Sequence, residues 1–189
     1  VGAHALTILY NGIACQHKIP KSWKEARTVL IPKTEVPASP AEYRPISISS
    51  YYYRIYASLL SRRISSSIQL SNRQKGFIKA DGIRDNLVLH ETLIADSKRT
   101  CSNLNLTFMD VKKAFDSVSH ESVKRTLEWA GIPIGLRQTI SDLYEDCSTN
   151  VGGSSIRVTR GVKQGDPLSS ILFNLVIEMA MSDVSESLG

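Results

Sequence analysis

Arg160-Gly161-Val162-Lys163-Gln164-Gly165-Asp166-Pro167-Leu168-Ser169 is the segment that most narrows what this chain can fold into. Its two glycines permit tight turns and close approach to another backbone or a ligand. Asp166-Pro167 supplies a helix N-cap and a first-turn proline, and Leu168, Ile171, Leu172, Leu175, Val176 and Met179 follow at helical spacing. The pattern predicts a sharp turn held by a core helix. Gln164 offers both a donor and an acceptor, and a helix start with free N–H groups favours phosphate. A structural helix start without any ligand would look the same.

Upstream, Asp110 closes the apolar run Leu104-Asn105-Leu106-Thr107-Phe108-Met109 and precedes Ala114-Phe115-Asp116. The run reads as a strand delivering one carboxylate, and the Val111 carbonyl beside it adds a second oxygen donor. Such donors suit a hard cation such as Mg²⁺. A lone Asp here would sooner cap the turn before the next helix, and it is the surrounding pattern that favours the ligand. Strict alternation also puts Asp110 on the face of Leu104, Leu106 and Phe108, whereas a ligand must face a cleft; either the strand bends or the alternation misleads. Phe115 is close enough to floor the same pocket, where it would abut a sugar 2′ position, or it is ordinary core. Asp116 reads as a helix-start residue before Ser117 and Ser119.

Charge is segregated. Between Tyr43 and Ala80 stand Arg44, Arg54, Arg62, Arg63, Arg73, Lys75 and Lys79 with no Asp or Glu, so this stretch carries +7 and the remainder of a net +5 chain sums to −2. A surface that tracks phosphates needs such segregation, and a solvated helix face would also show it. Cys15, Cys101 and Cys147 are odd in number with no CxxC pair, which argues for reduced thiols inside a cell, and four scattered histidines give a His-based metal site little support. No run approaches the roughly 18 apolar residues of a membrane span, and the start lacks a signal peptide's order, so a soluble protein is expected. Opening in mid-pattern at Val1 and stopping at Gly189, the chain reads as a piece of something larger.

Periodicity predicts helices over about 3–15, 52–68, 83–97, after an N-cap at Ser119, over about 134–144, and at the end of the chain. The helix from Tyr52 is expected to bury Tyr52, Ile55, Tyr56, Leu59, Leu60 and Ile64 and to present Arg54, Arg62 and Arg63. Strands are expected at Arg27–Ile31, at the run before Asp110, and as a hairpin near Thr149–Thr159, with Arg44 extended before Pro45. Strands separated by helices imply an α+β or split-βαβ order.

Five blocks in order carry a resemblance: Ile31-Pro32-Lys33; Glu42-Tyr43-Arg44-Pro45-Ile46-Ser47; Arg73-Gln74-Lys75-Gly76-Phe77 with Asp81-Gly82; Asp110 to Val118; and Gly161 to Asn174. Together they resemble the reverse transcriptases of non-LTR (LINE-type) retrotransposons, most of all the site-specific elements that insert into ribosomal RNA genes. Ser170 stands where many relatives have proline. The resemblance implies the fingers and partial palm of a right-hand polymerase, with residues 1–100 as fingers and 101–189 as palm. It implies that Asp110 is catalytic and, with the Val111 carbonyl, is the first of the ligands for two Mg²⁺ ions, replaceable by Mn²⁺, whose other carboxylates come from a later strand. It implies that Lys33, Arg44, Phe115, Gln164 and Gly165 contact the incoming deoxynucleoside triphosphate, and that Arg62, Arg63, Arg73, Lys75 and Phe77 contact nucleic acid. Partners would be an RNA template and a DNA primer or target, in the nucleus after cytoplasmic synthesis. No aromatic-x-Asp-Asp element is present, so the piece alone is expected to be inactive. Group II intron maturases and telomerase-like enzymes share the core blocks, and a non-catalytic RNA-binding remnant is the reading from another class.

Overall fold

Ser50 opens the central helix by accepting a hydrogen bond from the Tyr53 amide at 3.2 Å, and helix α3 runs from Tyr51 to Ser67 in the computed structural model, which describes residues 2–188. Its inward face differs from the expected one. Tyr53, Tyr56, Ala57, Leu60 and Ile64 are buried, whereas Tyr52 and Leu59 are exposed. The helix is rotated because small Ala57 lets neighbours approach closely and because Tyr53 and Tyr56 meet two aromatic partners. These are Tyr10 of helix α1 (Gly2–Gln16) and Trp23 of the single-turn helix α2 (Lys21–Lys24), with ring centres 5.1 Å (Tyr10–Tyr56), 5.5 Å (Trp23–Tyr56) and 6.2 Å (Trp23–Tyr53) apart. The Tyr10 hydroxyl donates to the Tyr52 carbonyl at 3.0 Å, which locks α1 to the start of α3.

Strand β1 (Glu25–Pro32) pairs antiparallel with β2 (Tyr43–Ile48), from Arg27 opposite Ile48 to Pro32 opposite Tyr43. Strand β3 (Ser148–Val151) lies parallel to β1, and β4 (Ser154–Arg157) returns antiparallel to β3 through a Gly152-Gly153 turn. The order is β2-β1-β3-β4. Thr28 and Thr149 hydroxyls meet at 2.7 Å across the parallel pair. The remaining helices are α4 (Gly82–Thr100), α5 (Ala114–Ser117), α6 (His120–Trp129), α7 (Ile134–Tyr144) and α8 (Ser169–Leu188). Ser119 caps α6 by accepting from the Ser122 amide at 2.9 Å, as its position predicts.

One core joins α1, α3, α6, α7 and α8 through buried side chains that include Leu60, Ile64, Leu127, Ile140, Leu143, Leu168, Leu172 and Leu175. Each fully buried Leu stabilises the fold by about 1.5–3 kcal/mol. Helices around a mixed sheet make the fold α+β, as the sequence implies.

Two further expectations are adjusted. Leu104–Met109 is not a strand: residues 102–111 have no regular structure, and Phe108 and Met109 are 83% and 87% exposed. A strand needs a neighbour for its N–H and C=O groups, and no strand of the described residues runs beside this segment. Asp166 caps the turn that leads into α8, its Oδ1 accepting from the Leu168 amide at 2.9 Å, while the regular helix begins only at Ser169. Helix α4 spans its expected range and is capped by Asp81, and its Ile83, Leu87, Val88, Leu89 and Leu93 are exposed.

Candidate active site

The glycine-framed segment 160–166 stitches two regions together. On one side the Val162 amide donates to the Phe115 carbonyl at 2.9 Å, the Gly161 amide to the Val118 carbonyl at 2.8 Å, and the Arg160 guanidinium grips the Ser117 carbonyl through Nε at 2.9 Å and Nη2 at 2.6 Å. On the other side the Ser47 amide donates to the Gln164 carbonyl at 2.9 Å along the outer edge of β2. Both glycines are needed there. At Gly161 (φ +94) a Cβ would lie 3.2 Å from the Asp116 Cα, and at Gly165 (φ +94) it would lie 3.3 Å from the Ile46 Cγ2 and the Ser47 carbonyl. A side chain at either position would be strained and would push the segment off its neighbour.

The result gathers several residues nominated from sequence. Phe115, Gln164 and Gly165 share one turn-to-turn contact region, and β2, which carries Arg44, borders it. Arg44 pairs with Ile31 across the β1–β2 ladder, so by alternation Ile31, Arg44 and Ile46 lie on one face, and Lys33 follows directly after the end of β1. Lys33 Nζ donates to the Ala41 carbonyl at 2.9 Å. Beneath the opposite face, a cavity of about 130 Å³ is lined by Pro45, Ser47, Asp116, Arg160, Lys163 and Gln164 among others.

Phe77 joins this region through aromatic contact. Its ring centre is 5.6 Å from Phe115 and 6.4 Å from Phe173, and Phe115 is 5.1 Å from Phe173. Phe77 has φ +54, an unusual conformation for a bulky residue. The Asn174 side-chain amide, buried in α8, donates to the Gly76 carbonyl at 2.8 Å and fixes that corner. Lys75 is engaged by Asp85 at 2.8 Å, while Arg62, Arg63 and Arg73 are exposed.

Asp110 lies in the irregular segment 102–111. Its carboxylate is exposed, with no hydrogen bond or ion pair among the described residues, and Lys113 (φ +51) turns the chain between it and Phe115. Its oxygen and the Val111 carbonyl are donors of the kind a hard cation takes, but no three His, Cys, Asp or Glu side chains among the described residues converge to hold a metal. These two donors fit part of a coordination shell.

Sequence reasoning missed what lies under the turn. Lys163 and Asp166 are buried, and the Tyr53 hydroxyl donates to Asp166 Oδ2. Burial pushes the Asp166 carboxyl above its ordinary range, against the opposing pull of the Tyr53 hydroxyl, the Leu168 amide and the Lys163 charge. Burial, then the Asp166 charge, likewise raises Tyr53 and Tyr144. His120, whose Nε2 lies 3.2 Å from the Gly161 carbonyl, is lowered chiefly by burial. Lys and Asp are solvated by default, so only the tertiary setting reveals them. A separate cleft of about 370 Å³ between α6, α7 and β4 includes none of the nominated residues.

Comparison with known proteins places the chain in a family. Residues 31–188 match the family model described as reverse transcriptase (RNA-dependent DNA polymerase). The chain is 37% identical over 186 residues to the "Retrovirus-related Pol polyprotein from type-1 retrotransposable element R2" of Nasonia vitripennis, covering 96% of this chain and 18% of the relative. It is 38% identical over 176 residues to the corresponding type-2 element R2DM polyprotein of Drosophila melanogaster, covering 90% and 17%. A "Probable RNA-directed DNA polymerase from transposon BS" of the same fly is 27% identical over 188 residues, covering 95% and 20%. The chain thus spans about a fifth of the length of these curated relatives. All three are transposable-element proteins, which does not favour the intron-maturase, telomerase-like or remnant readings. With the family model covering most of its length and its turn, aromatic corner and β1–β2 hairpin assembled around one region, the chain belongs to the reverse transcriptase family and is similar in sequence to the Pol polyproteins of R2 retrotransposable elements.

Proposed function

We propose that this chain forms the nucleotide-seating part of an RNA-directed DNA polymerase which, in the intact protein, copies element RNA from a nicked target-DNA primer. One observation carries the reading: segment 160–166 is hydrogen-bonded to the Phe115–Val118 turn on one side and to Ser47 of β2 on the other. Phe115, Gln164 and Gly165 thereby border the strand that carries Arg44. In this reading Lys33 and Arg44 meet the triphosphate, Phe115 abuts the sugar, and Gln164 with Gly165 lies against the nascent pair. Residues 1–100 act as fingers and 101–189 as partial palm. Arg62, Arg63, Arg73, Lys75 and Phe77 follow template or primer, with Lys75 exchanging Asp85 for a phosphate.

Reverse transcriptases use divalent metal ions, and we assign Mg²⁺, replaceable by Mn²⁺, to Asp110 and the Val111 carbonyl. When bound, such ions stabilise the attacking and leaving oxygens of phosphoryl transfer. The protein's share is to fix the sugar, base and phosphates so that little motion remains. On this reading the intact protein is made in the cytoplasm and acts in the nucleus, which follows from the proposed chromosomal primer.

The test is primer extension on an RNA template with the full-length protein. Asp110→Ala is expected to abolish DNA synthesis while RNA binding stays near normal. Unchanged synthesis would remove Asp110 from the reacting centre.

A further inference from the structure

The two residues that frame the Gln164–Gly165 turn send charged side chains inward: Lys163 and Asp166 are each only 7% exposed. Charged groups are almost never buried unless paired. Both meet Tyr53 of α3, itself 1% exposed, although Lys163 Nζ has no hydrogen-bond partner among the described residues. Its hydroxyl donates to Asp166 Oδ2, and Lys163 Nζ lies 5.2 Å from the centre of its ring, within range of the attraction between a cation and an aromatic face. The other Asp166 oxygen accepts from the Leu168 amide at 2.9 Å, just ahead of α8. One tyrosine thus ties both ends of the turn to α3. The residues between those ends lie outside: the Gln164 carbonyl accepts from Ser47, and Gly165 sits beside Ile46.

Stability alone is a poor reason for such a cluster, because apolar side chains of similar volume fill an interior as well or better than buried charges. What an apolar set lacks is direction. A charge-assisted hydrogen bond holds Asp166 at one height and angle, and a cation over a ring holds Lys163 likewise. The turn then cannot slide along β2 without breaking both.

We propose that Tyr53, Lys163 and Asp166 are positioning residues for the incoming nucleotide, holding the Gln164–Gly165 turn at a fixed height against β2. Through Tyr53 they also link that turn to the helix whose exposed residues include Arg54, Arg62 and Arg63. The ligand in this statement rests on the polymerase reading above, whereas the fixing of the turn does not.

Tyr53→Phe in the full-length protein keeps the ring under Lys163 and removes only the hydroxyl, leaving a buried carboxylate short of a donor. Two readouts separate positioning from packing. Without substrate, amide hydrogen exchange at Ser47, Val162 and Asp166 is expected to accelerate by about tenfold while exchange in α6 is unchanged. With substrate, the KM for deoxynucleoside triphosphate is expected to rise about five- to twentyfold, with kcat and RNA binding within about threefold. Asp166→Asn keeps one acceptor oxygen where Asp166 uses two, for the Tyr53 hydroxyl and the Leu168 amide, so it weakens one of these bonds; it should fall between Tyr53→Phe and the unmodified protein, and it carries the test if Tyr53→Phe does not fold. Lower melting temperature with unchanged exchange at the turn and unchanged KM would overturn the proposal and leave the cluster as plain core. Failure of the unmodified protein to extend a primer would sink the polymerase reading while the exchange measurement still decides the fixing of the turn.

Discussion

Asp166 keeps a carboxyl almost wholly out of water, and this has a measurable consequence at the scale of the residue. Burial holds its folded pKa above the unfolded value, so the protonated carboxyl is favoured by folding. A group raised in this way contributes stability that is complete below its unfolded pKa and is lost as pH rises through the folded one. The native protein should therefore gain melting temperature relative to Asp166→Asn as pH is lowered from about 7 toward about 4. A gap that stays constant across that window would mean that Asp166 does not titrate as its burial implies. Phe115 poses a different question, since its ring already contacts Phe77 and Phe173. If its edge also abuts the sugar, Phe115→Ala should raise ribonucleotide incorporation by roughly tenfold or more. A loss of stability with unaltered sugar preference would leave it as packing alone.

At the scale of elements, α3 does two jobs on two faces. Its inner face supplies Tyr53, Tyr56, Ala57, Leu60 and Ile64 to the core, and its outer face presents Arg54, Arg62 and Arg63 in a stretch without acids. Exposed arginines that neutralise phosphates release counterions, and their removal reduces the salt dependence of binding. Arg62→Ala with Arg63→Ala should weaken RNA binding and flatten its log–log salt slope by about one to two units. An unmoved slope would show that these arginines only wet the helix. The same helix shows where periodicity misjudges a face: Tyr52 and Leu59 fit an apolar stripe as well as Tyr53 and Ala57 do, and contact with Tyr10 and Trp23 decided between them.

Across the whole molecule, apolar surface is distributed unevenly. The core helices are well buried, yet α4 exposes Ile83, Leu87, Val88, Leu89 and Leu93, and the segment before Asp110 exposes Phe108 and Met109. A monomer rarely keeps so many large apolar side chains in water, and the curated relatives are roughly five times longer than this chain. The 189-residue chain on its own should therefore bind a hydrophobic dye strongly and self-associate, and Phe108→Ser with Met109→Ser should reduce both. A monomeric, dye-silent chain in light scattering and fluorescence would show that this surface is tolerated as it stands.

Local rules made much of this legible in the sequence. The hairpin around Gly152-Gly153, the cap at Ser119, and the turn framed by Gly161 and Gly165 follow from backbone sterics and short-range hydrogen bonds, which depend on neighbours in the chain. The same short-range logic singled out Phe115, Gln164 and Gly165, and their gathering around one turn required only that their blocks meet. Three matters lay beyond it. The run before Asp110 has strand-like composition, but a strand exists only where another strand satisfies its backbone. The face of α3 depended on which aromatics arrived from α1 and α2. The burial of Lys163 and Asp166 depended on Tyr53, more than a hundred positions away, supplying a ring for one and a hydroxyl for the other. Residue order determined the turns, caps and periodic faces, because these are settled within a few residues; only the tertiary structure decided which charged groups could leave water, because that takes a partner from far along the chain.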